Sequence, residues 1–276
     1  MKNKYTIYIP SRGRHESRLT MKSLDKMGLD YFVVIEKEEF DLYASVIDEK
    51  KLLVLPFSGK GLVGSRNWIK EYSTSKGEKR HWQLDDNIDG FVRLNRNQKI
   101  KVTSPAALKV CEDFTDRYTN VALSGLNYRF FAAQRDGRKQ PFNLNTRIYS
   151  CTLINNEIEH YYRAVYNDDT DISLRVLKDG WCTILFNAFL CNKAATMTVK
   201  GGLNTEEFYR GTNKRKEFVE SLIEQHPDCV KMVWRYERWH HEVDYSRFKN
   251  NKLIKVKDLI IKEGVNEYNM KLIKTN

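Results

Sequence analysis

The chain has 276 residues, is 41% apolar and 30% charged, and carries 47 Lys and Arg against 36 Asp and Glu, a formal net charge of +11. That length suits one large domain or two small ones, the apolar fraction suffices for a core and argues against a disordered chain, and no run approaches the ~18 apolar residues of a membrane-spanning helix. MKNKYTIYIPSRGR lacks the apolar stretch and cleavage site of a secretory signal, and the five scattered cysteines (Cys111, Cys151, Cys182, Cys191, Cys229), with no C-x-x-C pair, predict reduced thiols in a cytoplasmic protein rather than a disulfide or zinc framework.

Strand and helix signals alternate through the first part of the chain. KYTIYIP predicts a strand, with Tyr5, Ile7 and Ile9 alternating and Pro10 ending it. ESRLTMKSLDKM predicts a helix stopped by Gly28, and DYFVVIE is a continuous apolar run, the mark of a strand buried on both faces. EEFDLYASVIDEK places Phe40, Tyr43, Ala44 and Ile47 on one helical face, and KLLVLP is a third short strand. GLVGSRNWIKEYSTSKG reads as a loop entering a helix, and RHWQLDDNID as a strand that runs into acids. This alternation predicts a parallel, helix-covered sheet, whose ligands sit at the carboxyl ends of the strands.

The second half is less regular. FVRL and KIKV suit a short hairpin, PAALKVCEDFTDRY a helix and NVALSG a strand. Arg135 to Thr146 is a polar, basic loop, and RIYSCTLIN is a strand. DDTDISLRVLKDG predicts a short helix with acids at its positive end and Gly180 at its stop. WCTILFNAFL is a buried strand, KGGLN a glycine loop, and TEEFYRGTNKRKEFVESLIEQ a long amphipathic helix from the cap Thr205. No internal repeat is visible. The expectation is an α/β domain over residues 1–230, with a basic, aromatic-rich extension, 231–276, folded back onto it.

Three segments follow predicted strands and so share one sheet edge: Ser11-Arg12-Gly13-Arg14, Glu36, and Asp85-Asp86-Asn87. A fourth, Gly61 to Asn67, carries Arg66 into a helix. Arginines, a glycine-rich turn and paired acids on one edge suit a nucleoside diphosphate held by a divalent cation, since Asp carboxylates are hard oxygen ligands for Mg²⁺ or Mn²⁺. An Asp-Asp pair after a strand also suits a solvated turn. The second acidic run, Asp168-Asp169-Thr170-Asp171, holds more acid than capping requires, and a carboxylate within reach of an acceptor hydroxyl is a general base.

Residues 231–276 hold eleven Lys and Arg against six Asp and Glu, a surplus that favours phosphates. Aromatics interleave with basic residues from Trp234 to Lys249, as stacking on bases requires, and as a half-buried strand would also show. Candidate nucleic-acid contacts are Arg135, Arg138 and Lys139 in the basic loop, and Lys214, Arg215 and Lys216; a solvated basic face is the alternative. His240 and His241 are adjacent, so on a strand at most one points inward.

The order strand–SRGR, Glu36, GLVGSRN, QLDDN and DDTDISLRVLKDG resembles the GT-A fold glycosyltransferases over residues 4–195. Within them the IPSRGR start, the LDDN form of the acidic motif and the RWHHEVD segment are similar to the phage and TET-associated branch that glycosylates 5-hydroxymethylpyrimidine bases of DNA. The resemblance implies a Rossmann-like, mostly parallel sheet flanked by helices, a nucleotide-sugar donor with UDP-glucose favoured, and Mn²⁺ or Mg²⁺. It assigns Ser11, Arg12, Arg14, Glu36, Gly61, Arg66 and Asp85 to the donor, and turns the six basic nucleic-acid candidates to DNA. The metal falls to Asp86 with Asn87 and one of His240 and His241. The base of an inverting transfer is one of Asp168 and Asp169, with the alignment of Arg175 favouring Asp169. Two positions depart from the family pattern: Asn87 ends the usual D-x-D, and Asp168 stands where a Glu is usual. The sequence is also compatible with a GT-A enzyme acting on a glycan or protein, and with a metal-dependent nuclease or a non-catalytic DNA-binding module.

Overall fold

The short buried runs of the first half become neighbours in one sheet. In a computed structural model, which describes residues 4–95, 97–132, 140–164, 166–194, 212–261, 264–266 and 268–269, β1 (Ile7–Pro10), β2 (Phe32–Ile35), β3 (Leu52–Val54) and β4 (Arg80–Leu84) lie in the order β3-β2-β1-β4, all parallel. The crossovers carry α1 (Leu19–Met27), α2 (Phe40–Ala44) and α3 (Gly61–Ser75). Every residue of β1 and β4 is buried, as befits strands covered on both faces.

Beyond β4 the 10-stranded sheet continues through β9 (Cys151–Asn155), β7 (Val121–Tyr128), β10 (Cys182–Lys193), β5 (Ile88–Asn95) and β6 (Gln98–Val102), with β8 (Phe142–Leu144) also on β10. β1 to β4, β6, β7 and β10 run one way; β5, β8 and β9 run against them. The sheet is therefore mostly parallel, with α4 (Ala106–Thr115) and α5 (Asp168–Lys178) among its covering helices, the α/β architecture expected from the alternating pattern.

Local differences have local causes. The helix after β2 is short: a 3₁₀ turn, Lys37–Glu39, precedes α2, which ends at Ala44, while Ile47 still packs on the core. GLVGSRN is helix from its first residue, so Arg66 rides on α3 rather than on a loop. Gly64 lets that first turn close, since a Cβ there would meet the Lys60 Cβ at 2.5 Å. β9 starts only at Cys151, after Ser150 at φ 58°. The basic loop contributes β8 as an edge strand, and FVRL and KIKV pair as the β5–β6 hairpin.

The core joins Ile7, Ile9, Leu24, Val33, Trp82 and Phe91, each contributing about 1.5–3 kcal/mol by burial. All five cysteines are buried and free. Thr205 and the KGGLN segment lie outside the described residues; α6 (Thr212–Gln225) follows them. It packs against a hairpin of β11 (Val230–Arg235) and β12 (Arg238–Val243), with Leu174 and Leu177 of α5, Leu222, Val230 and Phe248 in one cluster. The chain then runs back along the body, where Ile254 O accepts from Thr119 N at 2.9 Å and Arg117 O from Val256 N at 2.9 Å. No helix among the described residues is long and apolar enough to cross a membrane.

Candidate active site

Strand direction gathers the polar groups. The carboxyl ends of β1, β2, β4, β7 and β10 share one edge, and β9, running the other way, begins there. That edge carries Ser11, Glu36, Asp85, Tyr128, Lys193 and Ser150. Arg66 reaches it from α3 and Asp168 from the start of α5.

Arg66 joins the two acidic runs. Its Nη2 is 3.0 Å from Asp85 Oδ1, and its Nη1 donates to Asp168 Oδ2. The guanidinium lies 5.0 Å over the Tyr162 ring. The second oxygen of Asp85 accepts from Lys193 Nζ at 2.7 Å and from Ser150 Oγ at 2.6 Å, and Lys193 also donates to Ser150 Oγ at 2.9 Å. Asp86 points to the β1 side, where Arg14 Nη1 donates to Oδ1 and Ser11 Oγ donates to Oδ2 at 2.8 Å. Glu36 accepts from the Gly59 N–H at 2.7 Å, with the Arg12 guanidinium 3.6 Å away. Gly61 opens α3 with no acid in its first turn, so the positive helix end stays available to an anion.

These pairings set the protonation states. Burial pushes the Asp85 carboxyl up, but Lys193 and Arg66 together bring it below the usual range. Burial lifts Asp86 more than Arg14 and Ser11 lower it. Burial is also the largest influence on Asp168; with Asp169 and Asp85 it outweighs Arg66 and raises the carboxyl to about 6. Burial opposes the Lys193 charge, yet Asp85 raises its affinity for the proton above the ordinary value.

Asp169 faces a different set of groups. It accepts from the Thr170 N–H at 2.7 Å and the Thr170 hydroxyl at 3.3 Å, and its charge acts on Arg147, His241 and Tyr245. Burial, then Arg147, lowers His241 to about 4. His240 lies on the other face of β12, with Arg238 Nε 3.1 Å from its Nε2 and the charge of Arg215 acting on it. The third acid, Asp171, is fully buried and structural: Arg163 Nη2 and His226 Nε2 each lie 2.9 Å from its Oδ1, with Arg175 at 3.6 Å from Oδ2. Arg175 otherwise donates to Tyr161 O at 2.8 Å.

A divalent ion on Asp86, Asn87, His240 and His241 needs those donors to converge. Among the described residues no three His, Cys, Asp or Glu side chains are grouped to hold a metal. Asp85 and Asp86 are committed to lysine, arginine and serine donors. Asn87 Oδ1 is buried with no hydrogen-bond partner among the described residues, but one orphaned acceptor does not make a cation site. Among the described residues the donor set does not fit the ion, and the positive charge at this edge comes from Arg12, Arg14, Arg66 and Lys193.

On α6, Arg215 and Lys216 are exposed, Lys214 is half-buried, and Lys216 lies 3.3 Å from Glu220. Arg135, Arg138 and Lys139 lie outside the described residues. Sequence reasoning missed Lys193, Ser150, Tyr128 and Arg147. Lys193 had a usable signal, since a lysine ending a strand parallel to β4 must arrive at the same edge. Ser150 and Arg147 had none, because the strand expected over RIYSCTLIN hid the break before β9.

The sequence model of a family described as TET-associated glycosyltransferase matches residues 5–202. Among curated proteins nothing matches. Solved structures that are similar include a putative nucleotide-diphospho-sugar transferase from Desulfovibrio desulfuricans G20, 10% identical, covering 82% of this chain and 96% of that one at a TM-score of 0.42. The apo glycosyltransferase GlyE of Streptococcus pneumoniae TIGR4 is 15% identical, over 66% of this chain and 45% of that one, at a TM-score of 0.38. A197 from STIV is 13% identical, over 71% and 86%, at a TM-score of 0.42.

Proposed function

Because this chain belongs to the TET-associated glycosyltransferase family, and so is a glycosyltransferase that draws on a nucleotide sugar, we propose that it transfers glucose from UDP-glucose to the hydroxyl of 5-hydroxymethylpyrimidine bases in DNA, in the cytoplasm. The observation that carries this reading is the Arg66 bridge between Asp85 and Asp168, with Lys193 beside it and Asp169 one residue further. It supports a diphosphate at fixed cations next to a carboxylate in a different environment.

In this mechanism the Ser11–Arg14 loop and Glu36 hold the uracil and ribose. The N-terminus of α3, Arg66 and Lys193 meet the diphosphate, where charge builds as the bond from the anomeric carbon to the phosphate oxygen breaks and UDP leaves. Asp169 takes the proton of the acceptor hydroxyl as its oxygen attacks the anomeric carbon from the face opposite the leaving group, which inverts that centre. Asp168, held by Arg66, fixes the start of α5 and thereby the place of Asp169. Alignment of donor and acceptor supplies much of the acceleration. A base in duplex DNA reaches such a site by leaving the stack, at a cost of a few kcal/mol. Arg66 and Lys193 supply the positive charge that Mn²⁺ or Mg²⁺ would otherwise bring, since the carboxylates of this edge are already paired.

The test is mass spectrometry of nucleosides from hydroxymethylated DNA incubated with the protein and a panel of nucleotide sugars. The expected product is a hexosylated 5-hydroxymethylcytosine or 5-hydroxymethyluracil, formed best with UDP-glucose. Sugar transfer to a glycan or protein, with none to DNA, overturns the acceptor.

A further inference from the structure

We propose that the β11–β12 hairpin receives the acceptor nucleotide, its base stacking on Trp234, which Trp239 supports edge-on, and its flanking phosphates meeting Arg235 and Arg238. This inference rests on DNA being the acceptor and adds the surface that takes it.

The register divides the hairpin into two faces. Met232 pairs with His241 and Trp234 with Trp239 on one; Lys231 pairs with Glu242, Val233 with His240 and Arg235 with Arg238 on the other. The inner end of the aromatic face is His241, which lies in the field of Asp169 and Arg147. Trp239 is two residues further out on that face, about 7 Å along the strand. The face therefore runs from solvent toward the proposed base. Its outer aromatic, Trp234, is 58% exposed, with the two indoles 4.8 Å apart and edge to face.

The tip breaks the rules that stabilise hairpins. Tyr236 and Glu237 occupy a two-residue turn with φ 53° and 58°, where Asn-Gly is the favoured choice and a bulky residue at positive φ is disfavoured. Tyr236 is 85% exposed. Arg235 stands directly opposite Arg238, a like-charge pair that destabilises a ladder. Glu242 answers both Lys231, at 2.7 Å, and Arg235; with Glu237 at the tip, the three cations of the hairpin outnumber its two acids by one. An aromatic face with a guanidinium pair on the opposite face of the same tip offers a nucleotide laid over the tip partners for both its π-face and its phosphates.

The experiment uses duplex and single-stranded oligonucleotides carrying one 5-hydroxymethylcytosine, with the full-length protein and UDP-glucose. Trp234→Ala should lower kcat/KM on DNA about tenfold, mainly through KM, and Trp234→Phe should recover most of it. Arg238→Ala should reduce the salt dependence of DNA binding by roughly one counterion. UDP affinity, measured by calorimetry, reports whether each variant is folded. A Trp234→Ala protein as active on both DNA forms as the wild type overturns the hairpin assignment and leaves the DNA reading standing. A wild type that glycosylates only a glycan or protein overturns both.

Discussion

On the strand side of the sheet edge, Asp85, Asp86 and Asp168 each bear on a guanidinium or ammonium: Arg66 and Lys193, Arg14, and Arg66 respectively. On the hairpin side, Asp169 accepts from its neighbour Thr170 and faces Arg147 and His241. The contrast separates two tasks that one acidic residue type can perform. A buried carboxylate locked to a cation fixes geometry and is costly to disturb. A carboxylate that must take a proton from an incoming hydroxyl needs an approach path and a partner that does not occupy both oxygens.

The sharpest way to break this comparison is Asp169→Asn. Sugar transfer should fall by about 10²–10⁴-fold, with UDP affinity by calorimetry unchanged and the melting temperature nearly so. Full transfer by that variant would move the base to Asp168 and erase the distinction between the two sides. Asp171→Asn should behave oppositely, although it lies only two residues away. Its carboxylate is fully buried against Arg163 and His226, so the change should destabilise the fold by about 3 kcal/mol in urea titration. A stable Asp171→Asn protein would show that this cluster does not secure the start of α5.

Much of the strand side was legible in the sequence. Short apolar runs ending in Ser11, Glu36 and Asp85 dictate a parallel edge, because strand polarity fixes which residues meet there. The groups that later parts of the chain bring to the site were harder to read. Arg147 precedes β9 in a stretch whose apolar pattern suggests a strand, and Ser150 turns the chain at φ 58°. Lys193 is 108 positions from Asp85, so no local spacing relates them, and only the direction of β10 points it to the same edge. The acids of α5 were visible as a group, but their division into Asp168 on Arg66, Asp169 toward the hairpin and Asp171 in the interior follows from the turn of the helix and from what surrounds each direction.

A smaller effect sharpens the electrostatic half of the contrast. Asp168 is raised from 3.8 to about 6, so the folded state holds its proton more tightly and loses stability as pH rises between those values. His241 is lowered from 6.5 to about 4, so the folded state gains stability as pH rises from about 4 to 6.5. In the wild type the two trends oppose each other. His241→Gln should remove the gain and expose the loss, making the rise in stability from pH 4 to pH 7 up to about 3 kcal/mol smaller than in the wild type, at about 1.4 kcal/mol per tenfold in proton affinity. Parallel pH profiles for the two proteins would mean that His241 is not held neutral beside Arg147.

The smallest expected change concerns divalent ions. Since Arg14, Arg66 and Lys193 already sit on the strand-side carboxylates, replacing Mg²⁺ by a chelator should alter UDP affinity by less than about twofold in calorimetry. Lys193→Met provides the converse. It leaves Asp85 with Arg66 and Ser150, and removal of the ammonium from Oδ2 opens a hard carboxylate oxygen to a cation. Mn²⁺ should then bind more tightly to the variant than to the wild type, read by the paramagnetic resonance of free Mn²⁺. A wild type that binds UDP only with Mn²⁺ would show that the ammonium yields its place to the ion, and that the strand side is as adaptable as the hairpin side.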